Sequence, residues 1–468
     1  MLTGLPEALG THLQQFSRFF VSRTRDVSET FYGYVRGLFQ SERGNMLRMS
    51  EVNAVNHQAM QHMLTTDCVD WTGLTRQVAA EVNALLGGDE AVAIIDESAI
   101  AKKGEASAGV ARQWNGRLGK VDNSQVGVFM ALCRGTMSSL FDTRLYLPQT
   151  WVSDEDRCER AAIPKSARMF RSKAELALEM VDEADRNGVR YSYLAVDGGY
   201  GKEPAFLRGL DTRGKRFVAD VHKDQRLYLA DPKPALSARV GRGRPSTALT
   251  TDEVAMRVDA WASAQPDAAW QRLSLREGEK GEILAEYLHG RVWVWDGRET
   301  QAHSWHLMVR REVGATTPSH YCLSNAPENT LLAELARVQG QRFFIEHAFR
   351  EAKSECGMAD YQVRRWDAWH HHMALVMLAT LFLVKQKMAH RETWPMLSLN
   401  DLVTAIAHLL PQRQMTAPEL AAIISRRHKD RETAKNTHRR RQQRFLDALP
   451  STSRSEEHTS ELQSRGLI

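Results

Sequence analysis

Ala91-Val-Ala-Ile-Ile-Asp96 and Tyr193-Leu-Ala-Val-Asp197 decide how this chain is read. Each is an apolar run of strand length that ends on an aspartate. A third carboxylate, Glu346, lies far downstream in a segment of helical period, with Arg342 one turn before it and Arg350 and Lys353 after it. Hard divalent cations take oxygen ligands from a few carboxylates and leave positions for phosphate and water. Two such ions about 4 Å apart can activate a water and stabilise the leaving oxygen in phosphodiester cleavage. Carboxylates for metals, beside cations for phosphates, are what phosphodiester chemistry needs.

Outward from these runs, Gln125–Cys133 reads as a second strand and Leu140–Leu147 as a third, ending at Pro148. Ser172–Asn187 has helical periodicity and stops at Gly188. Tyr193–Asp197 is the fourth strand and Arg216–Val221 the fifth. Three strands, a helix, an Asp-bearing strand and a later Glu-bearing helix form the layout of a ribonuclease H-like α/β fold. The two aspartates become neighbours if the first and fourth strands pair. Six segments follow: a helical 1–88, expected to bind DNA ends; a core in two parts, 89–230 and 329–395; a β-rich insertion, 231–328; a helical basic 396–453; and 454–468. The insertion opens on the Gly/Pro/Arg loop Gly241-Arg-Gly-Arg-Pro-Ser-Thr247 and carries strands at Ile283–Leu288, Arg291–Trp295, Trp305–Arg310 and Tyr321–Ser324. Met373–Lys385 is an apolar core helix and Leu397–Ile424 is again helical. Arg454-Ser-Glu-Glu-His-Thr-Ser-Glu-Leu-Gln-Ser464 reads as translated sequencing adapter and is excluded from the fold.

Composition narrows the class. With 468 residues, 43% of them hydrophobic, the chain can fill several cores. No run approaches the roughly 18 apolar residues of a membrane span, and the start lacks the pattern of a signal peptide. Five scattered cysteines without C-x-x-C spacing argue against disulfides and zinc, and for a reducing cytoplasm. The net charge of +5 is unevenly placed, because nine lysines and arginines between Arg426 and Arg444 face only Asp430 and Glu432. Such a tail suits a phosphate backbone, or is a solvated, frayed helix.

At this point the residues resemble a known family. Asp96-Glu-Ser with Lys102-Lys103-Gly104, Gly109-Val-Ala-Arg-Gln113, Gly119-Lys-Val-Asp-Asn123, Leu145-Tyr-Leu-Pro148 with Trp151, Val196-Asp-Gly-Gly-Tyr-Gly201 and Arg342 through Lys353 are similar to insertion-sequence transposases of the DDE superfamily. The resemblance is to the branch whose core is split by a β-strand insertion and which works through hairpinned DNA ends, and it runs from about 43 to 425. It implies Asp96, Asp197 and Glu346 as the catalytic, metal-holding set, two Mg²⁺ ions with Mn²⁺ able to substitute, and double-stranded DNA as substrate. The DNA would be the element's terminal inverted repeats and the target, held by a homodimer without any membrane, in the cytoplasm and on the nucleoid when bound. Two positions depart from the family. Gln339 stands where a Tyr is frequent and Glu97 where a Thr is common.

Each residue also has a plainer reading. Aspartate is frequent at turns, and Asp122 rivals Asp96 for the first position, although a turn residue pairing with Lys120 is its simpler role. Arg342, Glu346, Arg350 and Lys353 share a helix face, as in any solvated charge ladder. The apolar partner face Phe344, Ile345, Ala348 and Phe349 would dock that helix on the sheet. Lys102, Lys103, Arg112 and Lys120 are phosphate contacts or ordinary surface charge. Gly198-Gly199-Tyr200-Gly201 lacks the lysine of a P-loop and reads as a sharp turn. Trp305 is the aromatic from the insertion on which the resemblance would stack a flipped base; Trp293 and Trp295 compete, and all three are equally core candidates. His370-His371-His372 point about 100° apart on a helix and cannot share one ion easily. The resulting expectation is a DDE transposase/endonuclease that frees a 3′-hydroxyl, forms and opens a hairpin and joins target DNA. The alternatives are a catalytically inactive transposase-derived DNA-binding protein or repressor, and an enzyme of the same core acting on RNA or branched DNA.

Overall fold

The computed structural model describes residues 2–42, 44–236, 248–278 and 281–447, so the Gly241–Thr247 loop and the stretch from 454 lie outside the described residues. The chain opens on helices, among them α1 (Leu5–Phe16), α2 (Ser28–Gln40) and α3 (Trp71–Leu86). The first apolar run then becomes β1 (Val92–Ala101), which continues through Asp96 instead of ending there. It can do so because β3 (Lys120–Arg134) pairs with it antiparallel along its whole length, Asp96 opposite Phe129. An unexpected strand, β2 (Ala111–Asn115), folds back on the start of β3, and β4 (Met137–Leu145) pairs with its far end.

α4 (Lys173–Arg186) is launched by a capping box between Ser172 and Glu175 and gives way at Gly188, whose φ is +66°. It returns the chain to β5 (Tyr193–Val196), parallel to β1 with Ile95 opposite Val196. β6 (Phe217–Val221) lies parallel to β5. The order β4-β3-β1-β5-β6, antiparallel on one side and parallel on the other, is the expected α/β core.

The strands of the insertion do not form a body of their own. β7 (Gln271–Gly278), β8 (Gly281–Val294), β9 (His303–Glu312) and β10 (His320–Ser324) continue the same sheet, with β10 antiparallel to β6. The two short strands expected around Arg291 are one continuous strand, and β7 was not anticipated. After the sheet come α5 (Leu332–Gln341), α6 (Phe343–Glu355), α7 (Trp366–His390) and α8 (Leu399–Leu409). The helix expected over 397–424 is thus broken, and a separate helix, α9 (Ala417–Asp447), follows. Residues Met1–Pro411 form one compact unit and Gln412–Ile468 a second. The segment boundaries at 88, 230, 328 and 395 therefore mark changes of texture inside one body.

α7 is the hub of that body. It is apolar on all sides, and by length and composition it could cross a membrane, contrary to the expectation that no such stretch exists; yet 72% of its apolar window is buried inside the protein. The three histidines on it point three ways. His370 Nδ1 donates to the Trp366 carbonyl at 2.9 Å, His371 Nδ1 donates to the Leu64 carbonyl at 2.7 Å with its ring stacked on Trp71, and His372 Nδ1 is hydrogen-bonded to the Tyr34 hydroxyl at 2.7 Å. Two of them rivet the N-terminal helices to the core. Burial holds His371 down at about 4 and His370 and His372 at about 3, so all three are neutral.

Tyr34 and His372 are both fully buried. Tyr34→Phe strands a buried imidazole nitrogen and is expected to cost about 1–3 kcal/mol. Urea unfolding should show a lower midpoint in one transition. Two separate transitions would mean that the helices of 1–88 unfold independently.

Candidate active site

The parallel register of β1 and β5 puts Asp96 and Asp197 at corresponding positions just past Ile95 and Val196. Asp197 caps the helical turn Gly198–Gly201, its Oδ1 accepting from the Gly199 and Tyr200 N–H groups at 3.0 and 3.3 Å. The turn must be tight: a Cβ on Gly201 would lie 1.9 Å from the Asp220 carbonyl oxygen. Asp96 Oδ1 accepts from the Glu97 N–H at 2.7 Å. Burial first, and then the charge of Asp197, push the Asp96 carboxyl up to about 7; the Glu97 N–H and Arg342 oppose the rise.

Arg342 stands between α5 and α6 and ties the site together. Its Nε is 3.0 Å from Asp220 Oδ2 on β6, and its Nη1 is 3.3 Å from Glu346 Oε1. Burial disfavours its charge, but Asp220, Glu346, Asp96 and Asp197 together hold its pKa above the ordinary arginine value. α6 docks as its apolar face requires, with Phe344, Ile345, Ala348 and Phe349 buried and Ser138 Oγ donating to the Phe344 carbonyl at 3.1 Å. Glu346 stays 54% exposed, turned to Arg342. Lys353 is lowered by burial and by Arg117, against the pull of Asp96. Arg350 is exposed.

The remaining residues divide. Lys103, Arg112 and Lys120 are exposed, whereas Lys102 turns inward, its Nζ donating to the Tyr361 carbonyl at 3.1 Å and lying 3.4 Å from that ring's centre. Burial lowers Lys102 to about 8. Asp122 lies within β3, opposite Gln113, and not in a turn, though it does stand 3.5 Å from Lys120. Trp305 is 4% exposed, edge-on to Phe217 at 5.1 Å, so its ring faces the core and offers no platform for a base. Gln339 is buried and accepts from the Tyr287 hydroxyl at 3.0 Å. Glu97 pairs with Lys173 at 2.6 Å.

Three neighbours escaped the reading of the sequence. Asp220 anchors Arg342, Lys173 neutralises Glu97, and Tyr200 carries a buried hydroxyl without a hydrogen-bond partner, facing the charges of Glu97, Asp96 and Asp197. Only Tyr200, beside the Asp197 turn, had a local signal.

Asp96 and Asp197, adjacent and mutually repelling, fit one hard cation, which needs only one or two carboxylates plus phosphate oxygens. Among the described residues no three His, Cys, Asp or Glu side chains stand close enough to hold an ion, and Glu346 is paired with Arg342. An aspartate raised to about 7 when folded, against an ordinary value near 4, binds a proton that the unfolded chain releases. The Asp96 contribution to stability without cations should therefore fall as pH rises from about 4 to about 7, by at most about 4 kcal/mol, against the opposite contribution of the buried neutral histidines. In chelator, the thermal midpoint of the wild type should accordingly drop relative to that of Asp96→Asn across that window. Parallel pH profiles of the two proteins would remove Asp96 as a source of pH dependence.

A family model described as DDE superfamily endonuclease matches residues 19–282, more than half of the chain, spanning Asp96 and Asp197 and stopping short of Glu346. A probable transposase for insertion sequence element IS701 from Microchaete diplosiphon is 22% identical over 316 residues, 66% of this chain and 70% of its own length. A structural likeness to the NurA nuclease from Sulfolobus solfataricus covers 60% of this chain and 85% of that one, at 9% identity and a TM-score of 0.26, too slight to carry an argument. With the family model matching more than half of its length, the chain belongs to the DDE superfamily endonucleases.

Proposed function

We propose that this chain is an insertion-sequence transposase that cuts DNA at the ends of its element and joins the freed 3′-hydroxyl to target DNA, through hairpinned ends. The observation that supports this most is the pairing of β1 with β5, which sets Asp96 beside Asp197 with Arg342 reaching both charges. Asp96, Asp197 and Glu346 would hold two Mg²⁺ ions, or Mn²⁺ in their place. When bound, the cations supply Lewis-acid charge for the phosphoryl oxygens. Glu346, half exposed on its helix, has to turn from Arg342 toward the aspartates when DNA arrives. Arg342, still anchored by Asp220, then directs its free guanidinium edge at the phosphate, with Lys353 and Arg350 farther along the same helix. Lys103, Arg112 and Lys120 contact the backbone of the double-stranded DNA, the terminal inverted repeats and target, and a homodimer pairs the two ends. The working place is the cytoplasm, on the nucleoid.

A second reading has an observation in its favour. With Glu346 committed to Arg342, the chain could bind DNA ends as an inactive relative or repressor.

Incubating the full chain with Mg²⁺ and DNA carrying the inverted repeats that flank its gene separates the two. Cuts at the ends with hairpinned products, reduced at least a hundredfold in Asp197→Ala, are expected. Cleavage retained by Asp197→Ala would sink the metal assignment, and end binding without any cleavage would establish the second reading.

A further inference from the structure

The β-ribbon formed by β2 and the start of β3 is built inside out. Among its inward positions are two amides and a hydroxyl. Asn115 Nδ2 donates to Ser124 Oγ at 3.0 Å, and Gln113 Nε2 donates to the carbonyls of Ser124 at 2.9 Å and Gly109 at 3.2 Å. Its outward positions are apolar. Trp114, 58% exposed, sits opposite Val121, 48% exposed, and Leu118 in the connecting turn is 44% exposed. The usual arrangement is the reverse, and an apolar cluster held outward over a polar face, hydrogen-bonded except at the buried Asn115 Oδ1, points to something that covers it.

Charge indicates what. Arg112 shares the outward face with Trp114 and Val121, and the exposed Arg117 lies beside Leu118 in the connecting turn; Lys120 and Asp122, paired with each other, stand opposite Asn115 and Gln113 on the other face. Arg112 bonds only weakly to the Val121 carbonyl, at 3.5 Å. The ribbon is continuous with the active strands, since Ala101 at the end of β1 pairs with Ser124, which pairs with Ala111. Arg117 in the turn is close enough to lower Lys353, on the helix of Glu346. An exposed aromatic framed by cations is the equipment of single-strand binding, in which bases stack on rings while cations follow the backbone.

Resting on the reading that DNA is the substrate, we infer that the ribbon Ala111–Ser124 holds unpaired DNA. Bases stack on Trp114, flanked by Leu118 and Val121, and Arg112 and Arg117 take the phosphates where the duplex gives way to the single strand. Paired DNA buries its base faces and gains nothing from Trp114. The contact is sequence-tolerant, because every base presents a π-face.

The test is binding of the full-length chain, in chelator so that no cleavage intervenes, to a forked DNA with a single-stranded arm and to a fully paired duplex of equal length. 2-Aminopurine placed along the arm reports stacking. Trp114→Ala is expected to weaken fork binding about tenfold and abolish the quenching, with duplex affinity unchanged and Trp114→Phe largely restoring both. An exposed side chain should leave the urea midpoint where it was. Equal loss on fork and duplex, or unchanged quenching, would overturn the proposal. So would a Trp114→Ala chain whose sedimentation shifts from dimer to monomer with fork binding intact, since the apolar face would then join two copies of the chain. Because no cation is present, the result stands or falls apart from the Asp197→Ala outcome.

Discussion

Two carboxylates on neighbouring parallel strands repel each other, and the surroundings of Asp96 and Asp197 are arranged around that repulsion. Asp197 spreads its charge over two backbone N–H groups at the head of a helical turn, while Asp96 has one such donor and is held near neutrality. Arg342 answers the remainder without touching either aspartate as an ion pair. A guanidinium free to move would collapse onto the carboxylates and occupy the place of a cation. Asp220 prevents this by holding one edge of the fork, and Asp220 is itself held by the Cys322 thiol, which donates to its Oδ1 at 2.9 Å.

Cys322 lies on β10, the last strand of the inserted segment, so the insertion reaches the site through the sheet. From Cys322 to Asp220 to Arg342 to Glu346, every link is a hydrogen bond or ion pair between consecutive elements. Had residues 231–328 folded as a separate lobe, Asp220 would keep Arg342 but lose the Cys322 thiol and lie at the sheet edge. Fusing the lobe to β6 supplies its second partner and its cover.

The strands flanking the aspartates were legible because parallel strands covered on both faces read as unbroken apolar runs. Asp96 looked terminal because Asp-Glu-Ser interrupts the run, yet a strand continues wherever a neighbour completes its ladder, and β3 does so to Ala101. The inserted strands could be recognised from alternation, but their attachment could not, since the pairing of Tyr321 with Val221 is a contact a hundred positions apart. The same distance hides the fate of Lys102, whose partner Tyr361 is on another element, and of Trp305, since alternation shows two faces and not which one is covered. His370–His372 point three ways on α7, as consecutive helical positions must. What they join depended on where the N-terminal helices land.

The ribbon Ala111–Ser124 shows why surfaces that act on other molecules resist pattern reading. Alternation assigns Trp114 and Val121 to a core and Gln113, Asn115 and Ser124 to water; the structure does the opposite. Each inward amide nitrogen meets a hydroxyl or carbonyl within its own ribbon or the adjoining Gly109, which offsets part of the cost of burial, while Asn115 Oδ1 is buried without a partner. An apolar group kept in water costs the free chain some stability, and that cost is recovered only against a partner that also has apolar area to hide. A paired duplex offers phosphates and sugars there. An unstacked base offers a ring, which is why the chemistry of the ribbon points to DNA already opened near the cut.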